Sequence, residues 1–249
     1  MSVFALYNIK GGVGKTSAAV NFAWLSAQQD KTLLIDLDPQ SASSFYFRVR
    51  AAKKHSSKKL IKKTKSLDKF IRGTDFPGLD ILPADLSYRN LDLELKKSKN
   101  SRSRLRRILN NFKEEYTVII IDCPPNITLV SENIFQAADY LLIPTIPTYL
   151  SELTLIKLID FFTEENISQK KIQPFFSMVE KRKKLHLQKI DELSEKYHFL
   201  INHIPYLSDI EKMGEERMPV CSQRPASPAA QAYKNLWEEI NKRIKNKDN

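Results

Sequence analysis

The chain has 249 residues, 42% of them apolar, enough for the core of one large domain or two small ones. Two widely spaced cysteines, Cys123 and Cys221, fit neither a disulfide framework nor a zinc or iron–sulfur site, so a reducing cytoplasm is the expected compartment. No apolar run nears the roughly 20 residues of a membrane span, no secretory leader pattern is present, and a formal net charge of +11 points to a polyanionic partner.

The first expected strand covers Val3–Asn8, followed by a glycine-rich turn and a helix from Lys15 to about Gln29. That helix carries a small, close-packing face of Ala19, Phe22, Ala23 and Ser26. Thr32–Ile35 is an unbroken apolar run of the kind buried on both sides of a parallel sheet. A helix and a polar connection are expected from Phe45 to Lys65, and a short helix over Ser66–Ile71. Leu79–Pro83 predicts a third strand, and the patterns over Asp85–Lys97 and Ser101–Glu115 predict helices. Tyr116–Ile121 is the strongest strand, followed by a helix to Ala138 and a strand at Tyr140–Ile143. A helix over Leu150–Glu165, a strand over Ile172–Val179, a helix over Leu185–Tyr197 and a short strand at Phe199–Ile204 come next. A helix from Ala229 to about Lys245 closes the chain. Strands alternate with helices and the composition never breaks. The reading is therefore a single domain over 1–249, an α/β fold with one doubly wound, mostly parallel sheet and helices on both faces.

Chemistry concentrates at strand ends. Lys10-Gly11-Gly12-Val13-Gly14-Lys15-Thr16 joins a strand to a helix, the context a phosphate-binding loop requires. Its glycines let successive backbone N–H groups face an anion, and the helix behind adds its positive end. Lys15 supplies a cation for the outer phosphates, and Thr16 a hydroxyl for Mg²⁺. Asp36 and Asp38 end the second strand, and Asp122 follows the strand Tyr116–Ile121, where open α/β sheets bind ligands.

The loop departs from an ordinary Walker A sequence: Ile9 stands where its first glycine belongs, and a second lysine, Lys10, heads the loop. This form resembles the deviant Walker motif of the ParA/MinD family of ATPases, in its short, Soj-like type. Leu34–Gln40, Leu79–Ala84, Pro144-Thr145, Ile204-Pro205 and Pro228–Tyr233 with Leu236 resemble further landmarks, so the likeness spans nearly the whole chain. It implies a P-loop NTPase fold, ATP and Mg²⁺ as ligands, and hydrolysis of ATP that is slow until a partner stimulates it. Nucleotide contacts would come from Lys10 through Ser17 and, in the adenine pocket, from Pro205. Thr16, Asp36 and Asp122 would serve the metal, and Asp38 would orient or deprotonate the attacking water. Lys10 would reach across a homodimer to phosphates bound by the other subunit.

The resemblance also implies nonspecific DNA binding by the dimer, a ParB-like or cargo-adaptor partner, and a place on the nucleoid. Relatives carry arginines after the Ile-Pro landmark, where this chain reads Tyr206-Leu207-Ser208-Asp209. Lys181, Arg182, Lys183 and Lys184 are the named candidates for DNA contact, beside basic clusters at 48–65 and 96–107. Two other readings stay open: a MinD-like membrane-associated switch and a nucleotide-gated scaffold with little turnover. Cys123, where threonine is common, reads as a small packing residue.

Overall fold

The computed structural model describes residues 1–62 and 67–245. Parts of two expected elements, at Lys63–Ser66, and the polar end at Asn246–Asn249 lie outside the described residues. In chain order the first half runs β1 (Ser2–Leu6), α1 (Lys15–Ala27), β2 (Thr32–Asp36), α2 (Ala42–Tyr46), α3 (Ser57–Lys62), β3 (Arg72–Gly73), β4 (Leu79–Leu82), α4 (Leu91–Lys96), α5 (Arg104–Leu109) and β5 (Val118–Asp122). The second half runs α6 (Leu129–Ala137), β6 (Tyr140–Thr145), α7 (Tyr149–Glu164), β7 (Ile172–Phe176), α8 (Lys184–Lys196), three short helices α9 (Ser208–Glu211), α10 (Met213–Glu216) and α11 (Val220–Gln223), and α12 (Pro228–Lys245).

The seven strands stand in the order β3-β4-β2-β5-β1-β6-β7, and every pairing is parallel except β3 with β4. Side chains along a strand alternate between faces, so each strand feeds two cores. Val3 and Ala5 face a core shared with α3 to α8, while Phe4 and Leu6 face one shared with α1 and α12. The small face of α1 allows close approach: Ala19, Phe22 and Ala23 are fully buried. Phe22 stacks on Trp237 of α12 at 5.3 Å between ring centres. The apolar side of α12 (Tyr233, Leu236, Trp237, Ile240) is thus occupied by the core.

Several expectations change. Phe199–Ile204 forms no strand. Leu200 and Ile204 donate to the carbonyls of Pro174 and Phe176, but the N–H groups of Ile201 and Asn202 turn to the Glu239 carboxylate instead. Pro174 has no N–H to return to a ladder, and only the bridge Val179–Pro205 forms. Strand β7 stops at Phe176, and Met178 beyond it turns left-handed (φ 54°). The helix expected over Ser101–Glu115 is α5 flanked by 3₁₀ turns at Ser101–Ser103 and Asn110–Phe112. The two-residue antiparallel edge β3 gives too short a pattern to read in sequence.

Candidate functional site

β1, β2 and β5 are neighbours in register, so their carboxyl ends bring the loop, Asp36 and Asp122 to one spot. Asp36 and Asp122 are direct partners across β2 and β5. The loop between β1 and α1 is held from below. Buried Asn8 donates to the Pro144 carbonyl at 2.8 Å and accepts from the Lys10 backbone N–H at 2.9 Å. Gly12 and Gly14 have φ of +69° and +91°, the region glycine tolerates and other residues resist. A β-carbon at Gly11 or Gly12 would meet open space, whereas one at Gly14 would lie 2.9 Å from the Ser177 hydroxyl. The loop therefore presents bare backbone outward. α1 behind it has no side-chain cap and no acidic residue in its first turn, so its N–H groups and dipole are left for an anion.

Lys15 curls back over the loop and donates to the Lys10 carbonyl at 3.0 Å. Its side chain is largely buried, and burial lowers its pKa against the opposing pull of Asp122 and Asp38. Asp36 and Asp122 are completely buried. Burial raises both carboxyls, Asp36 further through its neighbour Asp122 and Asp122 further through Asp38. The structure answers with hydroxyls. Ser43 donates to Asp122 Oδ2 at 2.7 Å. Ser44 donates to Asp36 Oδ2 through its hydroxyl at 2.6 Å and its N–H at 2.9 Å, and the Asp38 N–H reaches Asp36 Oδ1. The Thr16 hydroxyl, beside the Asp122 carboxylate, also holds its pKa down.

These contacts test the fit to a divalent cation. Asp122 Oδ1 is buried and carries no hydrogen bond. An orphaned carboxylate oxygen, a neighbouring threonine hydroxyl and a second carboxylate form the hard, all-oxygen donor set that Mg²⁺ takes. Asp38 stands at the mouth, less buried than Asp36, with its Oδ1 accepting from the Gln40 N–H at 2.9 Å. Burial raises the pKa of the Tyr46 phenol, and the neighbouring Ser17 of α1 opposes the rise.

Ser43, Ser44 and Asn8 are the residues that sequence reasoning missed. The serine-rich run Ser41–Ser44 after Asp38-Pro39 and an asparagine ending an apolar strand were the available signals. Cys123 is wholly buried with its Sγ 3.6 Å from the Ile121 carbonyl, as a packing residue would be, and burial pushes its thiol well up.

Pro205 bridges to Val179, two residues beyond the Ser177 whose hydroxyl stands against Gly14. With Val179, Lys181, Arg182, His203 and Tyr206 it lines an open cleft of about 840 Å³, to which none of Lys10–Ser17 contributes. Of the basic run expected to meet DNA, Lys181 and Arg182 edge this cleft, Lys183 pairs with Glu180, and Lys184 opens α8.

A parallel sheet with a glycine loop feeding an uncapped helix, and two carboxylates at adjacent strand ends, defines a P-loop nucleotide-binding α/β protein. A family model described as an AAA domain matches residues 1–173. The chain is 30% identical to the uncharacterized protein MJECL24 of Methanocaldococcus jannaschii, over 98% of this chain and 100% of that one. It is 28% identical to the sporulation initiation inhibitor protein Soj of Bacillus subtilis, over 96% of this chain and 97% of Soj. Its fold matches a plasmid partition protein (BB_S35) of Borrelia burgdorferi bound to AMPPNP with a TM-score of 0.85, at 24% identity over 97% and 99% of the two chains. The chain belongs to the ParA/MinD family of deviant-Walker ATPases and is of the Soj-like type.

Proposed function

We propose that this protein binds ATP with Mg²⁺, pairs with a second copy around the nucleotide, and hydrolyses ATP slowly until a ParB-like or cargo-adaptor protein speeds it. In the paired state it binds DNA without sequence preference and positions a cargo over the nucleoid, within the cytoplasm. The observation that carries the reading is the site itself: an open glycine cradle under Lys15, beside a buried carboxylate with one free oxygen. The AMPPNP found with the Borrelia relative supports ATP as the ligand.

The chain's own groups divide the work. The loop N–H groups and α1 bind and orient the phosphates, and Lys15 leaves the Lys10 carbonyl to neutralise them. Mg²⁺, when bound, offsets charge that develops on the phosphoryl oxygens. Thr16 and Asp122 would hold it, with Asp36, fixed by Ser44, as the third residue of the metal site. Asp38, at the mouth, orients the attacking water and takes its proton. Lys10 serves the partner subunit's phosphates. The buried apolar side of α12 gives the membrane-switch reading no free docking face, and among the described residues no helix is long and apolar enough to cross a membrane.

Three variants test the reading through nucleotide binding, light scattering and phosphate release. Lys15→Ala weakens ATP binding by roughly 10–100-fold. Lys10→Ala keeps binding and loses the ATP-dependent dimer. Asp38→Ala keeps the dimer and slows turnover roughly 100-fold or more. An unchanged dimer in Lys10→Ala would remove the cross-subunit role, and equal turnover in Asp38→Ala would favour a scaffold.

A further inference from the structure

Two basic clusters far apart in sequence meet in the fold. From Pro39 to Leu67 the chain has nine Lys/Arg and no Asp or Glu, and Lys96–Arg107 adds seven more cations. Leu60 and Ile61 of α3 are buried in the same core as Leu91, Leu95, Leu105 and Ile108 of α4 and α5. The Arg104 guanidinium closes the joint by donating from Nε and Nη2 to the Ile61 carbonyl, at 2.8 and 2.6 Å. That bond caps the end of α3 and sets the two clusters side by side.

Within these clusters Arg48 pairs with Asp75, Lys97 with Glu94, and Arg102 with Glu132 and Glu165. Elsewhere Lys31, Lys183 and Lys196 each pair with a carboxylate. Lys58, Lys62, Lys96, Lys99, Arg106 and Arg107 are exposed, and among the described residues none of them has a carboxylate within ion-pair distance. A like-charged face on a packed scaffold costs stability through self-repulsion, which a polyanion relieves. We propose that the face formed by α3, the α4–α5 connection and α5, rather than the Lys181–Lys184 run, is the surface on which this protein takes the phosphate backbone of duplex DNA. The assignment rests on the DNA reading given above.

The chemistry favours DNA over a lipid surface. Docking on a bilayer needs apolar side chains to insert, and on α3, α4 and α5 the exposed large apolar residue is Leu93 alone. Arginine forks and spaced lysines instead suit a rigid row of phosphates. Engaging about four phosphates predicts that affinity falls roughly 100-fold between 50 and 200 mM salt.

The test measures fluorescence anisotropy of a labelled random-sequence duplex with full-length protein, ATP and Mg²⁺, at low and moderate salt. The variants are Lys58→Glu with Lys62→Glu, Arg106→Glu with Arg107→Glu, and Lys181→Glu with Lys184→Glu. Circular dichroism and ATP turnover without DNA report that each is folded. The first two pairs should each weaken DNA binding roughly tenfold or more and flatten the salt dependence, while the third stays near wild type. Wild-type binding lost only in the third pair overturns the surface assignment and leaves the DNA reading standing. Wild type that ignores DNA at low salt but sediments with phosphatidylserine vesicles overturns both.

Discussion

Ser43 and Ser44 are ordinary residues at the start of a short helix, yet they carry the two carboxylates on which the site depends. The Ser44 hydroxyl donates to Asp36 and accepts from the Ala84 N–H at 3.1 Å. Ser44→Ala leaves both buried groups short of a partner and should cost about 1–3 kcal/mol, read by urea unfolding. His55 is buried against Phe70 and bonded through Nε2 to Tyr88, with its Nδ1 unpartnered. Burial, opposed by Asp85 and aided by Lys59 and Arg72, lowers its pKa to about 4. The folded state resists the proton that an unfolded histidine takes near its ordinary 6.5, so this group's stability is full above that pH. It is lost as pH falls from about 6.5 to about 4, at most about 3 kcal/mol. Wild type and His55→Gln compared by urea unfolding across that window should differ in slope, and parallel curves would count against the buried neutral histidine. Asp36, Asp38 and Asp122 were legible because strand-end carboxylates beside a phosphate loop form a pattern. The serines were not, because a serine in a turn has many other uses and only the folded register places it under a carboxylate.

At the scale of elements, α1 does two jobs from two ends. Its uncapped start faces the loop, and its middle holds Phe22 between Phe175, Tyr233 and Trp237. Phe22→Ala should cost about 3–5 kcal/mol and loosen α12, seen as lost near-ultraviolet circular dichroism and lower melting temperature. Gly78, with φ of +77° and the Ala27 carbonyl 3.0 Å from where a β-carbon would sit, fixes the entry to β4. Gly78→Ala should cost roughly 1–3 kcal/mol in the same assay. The central strands could be read because parallel-sheet burial writes unbroken apolar runs. The Phe199–Ile204 segment could not, because its competitor for the backbone N–H groups, Glu239, stands nearly 40 residues away in sequence.

At the scale of the molecule, two cores share one sheet, and every central strand contributes to both. Neither half can open without exposing the other's strands. Near- and far-ultraviolet circular dichroism should therefore report one coincident thermal transition, and two separated transitions would divide the chain into domains. Packing also decides which charges remain available. The sequence alone offered three basic runs, and only the seating of α3 against α5 joins two of them. The Lys189 ammonium, buried between α7 and α8, instead meets Glu152 and Glu192 at 2.8 Å each and lies over the Tyr149 ring.

The sheet's two margins have a consequence for the protein at high concentration. One margin is β3, only Arg72 and Gly73 long, and the other is β7, interrupted by Pro174 and partly covered by the 199–205 segment. Neither offers the long row of free amides on which a foreign strand could lengthen the sheet. Crowded copies are therefore kept from seeding the edge-to-edge growth that leads to amyloid.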